Sequence, residues 1–172
     1  MTEPEVSLFV AMHYIESGKA GGDVAVAIDG AHVKIKETVL FDVTAFLRIY
    51  GYRKEGGDGW KGYYRKQGVA SRIEVHARSG EGDVKLSLSD GGVLYVESKK
   101  IRSGSSGEYP AMREAIGQLM TRKAEDVIPA VAVPYTKKSA DLAKEWRSLK
   151  AIRDAGIRFL LVKEDGKVEE NQ

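Results

Sequence analysis

The chain of 172 residues contains no cysteine, 4 prolines and 3 histidines. Without thiols there is no disulfide, no thiolate zinc site and no cysteine nucleophile. His13, His32 and His76 are too scattered along the sequence to suggest a zinc centre. No apolar run approaches the ~20 residues that cross a bilayer. The acidic start MTEPEV lacks the basic, then apolar build of a secretory signal. We therefore expect a cytoplasmic protein with no membrane partner. Charge of one sign is missing too: 27 Lys and Arg stand against 25 Asp and Glu, a net charge of +2. There is no internal repeat and no low-complexity segment.

What remains is the composition of one folded domain over residues 1–172, 42% hydrophobic and 30% charged. Charge is uneven locally. Arg48, Arg53, Lys54, Lys61, Arg65 and Lys66 are interleaved with Tyr50, Tyr52, Trp60, Tyr63 and Tyr64. Such a segment can stack bases and neutralise phosphates, or its aromatics can fold back onto a core.

Residues 5–17 space Val6, Phe9, Val10 and His13 as a helix does, and Gly18 stops it. VAVAID (24–29) and HVKIKE (32–37) flank Gly30-Ala31 and read as a small hairpin. Glycines precede that first strand and do not link a strand to a helix, which argues against a dinucleotide site. Leu40, Val43, Leu47 and Tyr50 form one helical stripe. The glycine-rich segment 54–68 reads as a loop or hairpin.

Three strands are then expected, at 70–77 and within the stretch GDVKLSLSDGGVLYVESKK (82–100). Short turns should make them antiparallel neighbours. A loop over 102–110 leads to a helix from Pro110 to about Lys123, with Met112, Ile116 and Leu119 inward. VIPAVAVP (127–134) reads as a strand buried on both faces. Ser139 is expected to cap a helix carrying Leu142, Trp146 and Leu149, and IRFLLVKE (157–164) to form the last strand. Helical crossovers make these late strands parallel. The expected fold is α/β, a mixed β-sheet flanked by helices.

The chemistry centres on 82–100. In a strand, Glu97 and Lys99 share a face, and Asp83 opens the neighbouring strand. If the strands splay at that end, both carboxylates can converge on one cation. Two carboxylates, a main-chain carbonyl and waters are the oxygen donors that magnesium prefers. A lysine beside such a cation can position a water or meet developing charge on phosphorus, as metal-assisted phosphodiester hydrolysis requires.

These residues resemble the PD-(D/E)xK nuclease superfamily of restriction-endonuclease-like fold. Gly82-Asp83 matches its "PD" element, with glycine in place of proline, and Glu97-Ser98-Lys99 matches its E-x-K. The stretches GDVKL, LYVESKK and AIGQLM are similar to those of archaeal-type Holliday junction resolvases and related small nucleases. The specific likeness covers 82–120, and element order extends it over 40–163.

The resemblance implies a nuclease-like core over 38–165, with residues 1–37 as an N-terminal helix and hairpin elaboration. It implies that Asp83, Glu97 and the Ser98 carbonyl hold Mg2+, for which Mn2+ can substitute, and that Lys99 orients or activates the attacking water. Gln118 fills a position the family often uses. Asp42, or else Glu37, would supply a further acid; Glu74 is another candidate, although its strand position favours a cross-strand ion pair with a neighbour such as Lys85. DNA is the implied substrate, with RNA not distinguished from it, and a homodimer is common in look-alike families. Lys100 and Arg102, with Trp60, Lys61 and Arg65, are the candidates for nucleic-acid contact. The alternative is a module of the same fold that binds nucleic acid without cutting it.

Overall fold

The computed structural model describes residues 1–171 apart from 79, 81, 102–106 and 122–125. It opens with α1 (Glu3–Glu16), whose Thr2 forms a capping box with Glu5. Val6, Leu8, Val10, Ala11 and Tyr14 are all fully buried, so this helix is enclosed on nearly every side. The next elements are β1 (Val24–Ala27), the one-turn α2 (Gly30–Val33), β2 (Lys34–Ile35), β3 (Thr38–Val39) and α3 (Val43–Ile49). They are followed by β4 (Tyr52–Lys54), β5 (Gly62–Lys66), β6 (Ile73–His76), β7 (Val84–Ser87) and β8 (Val93–Ser98). The C-terminal part holds α4 (Glu108–Thr121), β9 (Val127–Pro134), α5 (Lys137–Arg147), α6 (Lys150–Asp154), β10 (Arg158–Val162) and β11 (Val168–Asn171).

Nine strands form one mixed sheet in the order β11-β10-β9-β8-β7-β1-β6-β5-β4. The crossovers through α4 and through α5–α6 bring β8, β9 and β10 together in parallel, as expected. Helices cover both faces. On one side α1 and α3 pack Val6, Phe9, Val10, Val43 and Leu47 against Val26, Leu86, Leu94, Val96 and Leu160. On the other, Met112, Ala115 and Leu119 of α4 and Trp146 of α5 cover Val131, Val133, Phe159 and Leu161. β9 presents small Ala130 and Ala132 to the first cluster and Val131 and Val133 to the second. Two methyl-sized side chains there leave room for α1 to cross close to the sheet.

The sheet departs from expectation at β1. The hairpin expected over 24–37 does not form. VAVA pairs in parallel with β6 and antiparallel with β7, while β2 and β3 make a separate short ribbon. The three strands expected as antiparallel neighbours are accordingly split: β7 and β8 do pair so, but β1 lies between β6 and β7. Residues 1–37, expected as an elaboration, thus supply a central strand and a core helix. The physical reason is burial. Val24 and Val26 are completely enclosed, which a solvent-facing hairpin could not provide.

Segment 54–68 lies in the β4–β5 hairpin, one of the two forms expected of it. Smaller differences have local causes. Thr136, not Ser139, is the N-cap of α5, and Ser139 returns the bond to the Thr136 N–H as the third residue of a capping box. The loop expected over 102–110 lies largely outside the described residues, as does Lys123 at the expected end of the helix. No helix among the described residues is long and apolar enough to cross a membrane.

A chain beginning at residue 38 should therefore fail to fold, because β6 and β7 lose the strand between them and the sheet loses α1. Circular dichroism and amide proton dispersion check this. A cooperative, native-like transition in that truncation would contradict the central position of β1.

Candidate active site

Strands β7 and β8 run antiparallel with Val84 opposite Val96. One residue before β7, Asp83 lines the same cleft as Glu97 and Lys99, close enough for the Glu97 charge to act on it. Two carboxylates sharing a largely buried site repel, and each disfavours the other's ionisation. The main chain holds Asp83 firmly in that position. Its N–H donates to Val96 O at 2.9 Å, and its carbonyl accepts from Ala27 N at 2.9 Å. Gly82, where the resembled motif has proline, enters the strand at φ 76°. Proline is locked near −65° and cannot take that conformation, so glycine is what this backbone path demands.

The charges are met unequally. Asp83 Oδ2 accepts the Ser98 N–H at 2.7 Å. Lys99 Nζ lies 3.0 Å from Glu97 Oε1, 3.8 Å from Glu3 and 3.7 Å from Glu114. Glu97 is 3% exposed and Lys99 8%, so this contact is almost free of solvent. Burial, and then the Glu97 charge, push Asp83 up to about 7, against the opposing pull of the Ser98 N–H and Lys99. Burial lowers the Lys99 ammonium, but the hydrogen bond and charge of Glu97, with Glu3 and Asp83 behind, outweigh it and raise the group overall. Lys99 therefore stays a cation and a donor.

Around these side chains opens a cleft of about 500 Å3, lined by Asp83, Glu97, Lys99 and Gln118 and also by Glu3, Asp29, His32 and Arg78. Three catalytic candidates and Gln118 are brought together there. The Gln118 Oε1 is buried with no hydrogen-bond partner among the described residues. Ser98 is wholly buried; its side chain points to the opposite face of β8, its hydroxyl without a described partner. Lys100 is exposed and lines an adjoining hollow of about 300 Å3 with Lys99, Glu3 and Glu114. Arg102 lies outside the described residues.

Other candidates sit elsewhere. Asp42 caps α3, its Oδ1 accepting from Ala45 N at 2.9 Å, and does not line the cleft. Glu37 pairs with Lys34 on the β2–β3 ribbon. Glu74 is engaged by Arg78 at 3.0 Å, a partner one helical-type step along its own chain. The expected cross-strand contact of Glu74 with Lys85 is blocked because Ala25 of β1 stands between them. Trp60 and Lys61 precede β5 at the cleft end of the sheet, and Trp60 packs partly on the core. Arg65 lies farther along β5, bonded to Glu55 at 2.6 Å. Tyr52 and Tyr64 are buried, so much of this aromatic segment folds inward.

Glu3, Asp29, His32 and Arg78 were not legible as site residues. Asp29-Gly30 reads locally as a turn, and Glu3 as ordinary first-turn acid. Only the insertion of β1 beside β7 brings them to Asp83.

Carboxylate oxygens are the donors that hard divalent cations take. Glu3, Asp29, Asp83 and Glu97 bring four carboxylates to the cleft, against the cations of Arg78 and Lys99. The lifted Asp83 is a carboxylate short of positive charge. Among the described residues no three His, Asp or Glu side chains lie close enough together to hold a metal ion. Comparison with models of known protein families, with curated proteins and with solved structures finds no match to this chain.

The raised Asp83 pKa fixes a pH dependence. An acid whose folded value lies near 7, against an ordinary 3.8, stabilises the fold most below pH 4 and loses that contribution as pH rises to about 7. The loss is at most about 4 kcal/mol. Asp83→Asn keeps an oxygen for the Ser98 N–H and removes the charge. In chelator at pH 8 it should unfold at a higher temperature than the unaltered protein, and the gap should narrow at pH 5. A variant less stable at pH 8 would contradict this account.

Proposed function

We propose that the chain is a magnesium-dependent endonuclease that hydrolyses DNA phosphodiester bonds through a PD-(D/E)xK site, with manganese able to substitute. The single observation that carries this reading is the meeting of Asp83 and Glu97 in one cleft beside the buried Lys99. A like-charge pair at a strand end costs stability and serves no packing purpose, so its use lies in what the pair can hold. The E-x-K spacing and Gln118 in the same cleft add support.

Asp83 and Glu97 would hold the cation, with the Ser98 carbonyl adjacent. When bound, magnesium polarises a phosphoryl oxygen and lowers the pKa of a coordinated water. Lys99, held by Glu97, Glu3 and Glu114, donates hydrogen bonds that orient the attacking water and meet the charge growing on phosphorus. Its persistent positive charge argues for orientation over proton abstraction. Lys100, exposed on the adjoining hollow, is suited to a neighbouring phosphate, a contact that weakens as salt rises.

Plasmid and branched DNA incubated with magnesium should be cut by the unaltered protein. Asp83→Ala, Glu97→Ala and Lys99→Ala should each slow cutting about a hundredfold or more. Cutting that survives all three substitutions rejects the site. Binding without cutting in either cation favours a module of the same fold with no catalytic role.

A further inference from the structure

The cleft contains an imidazole that the reading above leaves unused. His32 sits on α2, immediately beyond β1. The Asp29 cap, accepting from Ala31 N at 2.9 Å, and the core packing of Val33 fix this turn of helix in place. Among the described residues the His32 ring has no hydrogen-bond partner. It lines the 500 Å3 cleft together with Asp83, Glu97 and Lys99. It also shares with Asp83, Asp29 and Glu3 a narrower niche of about 40 Å3. At roughly 10–15 Å3 for each water, that niche holds a few waters.

The placement of His32 relative to Lys99 is what gives it a role. Lys99 follows β8 and His32 follows β1, and β7 with Asp83 runs between them. Strands two ladder spacings apart stand about 10 Å from each other. In-line displacement at phosphorus needs a donor to the attacking water on one side and a proton source for the leaving oxygen on the other. Two hydrogen bonds of about 2.9 Å and an attack distance of about 3.3 Å, with the breaking bond added, span roughly 11 Å. Lys99 and His32 line the cleft from the ends of β8 and β1, with Asp83 at the start of the strand between them.

We infer that His32 gives a proton to the leaving deoxyribose oxygen, directly or through one water of the niche. The inference rests on the endonuclease reading. As the bond from phosphorus to the leaving oxygen breaks, that oxygen takes the imidazolium proton, and the attacking water's oxygen bonds to phosphorus. The attacking water releases its proton to solvent, His32 regains one from solvent, and one water is consumed. Imidazole is the side chain that exchanges protons near neutral pH without special surroundings. The charged groups facing it are Glu3 from α1, Asp29 from its own turn, Asp83 from β7 and, across the cleft, Arg78.

The test compares a DNA oligonucleotide having its ordinary oxygen at the leaving position with one having sulfur there, since a thiolate departs without a proton. His32→Gln and His32→Ala should cut the oxygen substrate about a hundredfold more slowly or worse and the sulfur substrate within about threefold of the unaltered protein. Manganese should raise the melting temperature of both variants as it does that of the unaltered protein, showing the cation site intact. Equal cutting of both substrates by the variants, an equal loss on both, or loss of the manganese shift overturns the role. If the unaltered protein cuts neither substrate, the endonuclease reading itself fails, and His32 loses its reaction with it.

Discussion

Two carboxylates, Asp83 and Glu97, share one largely buried cleft, and the rest of the cleft is arranged around their repulsion. The Asp83 main chain is bonded on both sides, to Val96 and to Ala27, and its carboxylate accepts the Ser98 N–H, which together hold it beside Glu97. Partial remedies surround them: a main-chain N–H for Asp83, an ammonium for Glu97. Neither removes the excess, and Asp83 is left with a proton affinity close to neutral. A carboxylate in that condition gains most from a divalent ion. The arrangement exchanges stability for a place to put positive charge, a pattern common where a site must act.

The same pair depends on a strand far away in sequence. β1 supplies the Ala27 N–H that fixes Asp83 from one side, and beyond its end come Asp29 and His32. α1, packed over the opposite face of the sheet, begins with Glu3 within 3.8 Å of Lys99 at the sheet's end. The first thirty-odd residues thus contribute the sheet's central strand, one wall of the cleft and one partner of its lysine. An N-terminal change that shifts α1 along the sheet would reach Lys99 through Glu3.

Much of the local structure was legible because it obeys local rules. Alternation in 93–98 put Glu97 and Lys99 on one face, the helical stripe of Met112 and Leu119 gave α4, and the apolar run at 127–134 gave a strand covered on both sides. Nothing in VAVAID records that it pairs with residues 73–76 and 84–85, so a neighbouring hairpin was the natural reading of a strand followed by glycine. Asp42 looked like a free acid near a helix. Its position one residue before Val43 is equally that of an N-cap, and the bond to Ala45 N takes it. In the segment 48–66 the sequence gives charges but not partners. Lys66 is engaged by Glu16 from the end of α1, far away in sequence, whereas Arg65 finds Glu55 within the segment.

Lys99 shows how these levels join. Three carboxylates from three elements, Glu97 on β8, Glu3 on α1 and Glu114 on α4, converge on one ammonium at the end of the sheet. A lysine paired only with Glu97 could swing out to solvent; one drawn from three directions is held in place, and its charge is retained. Removing Glu3 or Glu114 would loosen that hold without touching the Asp83–Glu97 pair. The lysine's position is therefore a property of how α1 and α4 meet at the open end of β8. Helix packing and site electrostatics are here one constraint.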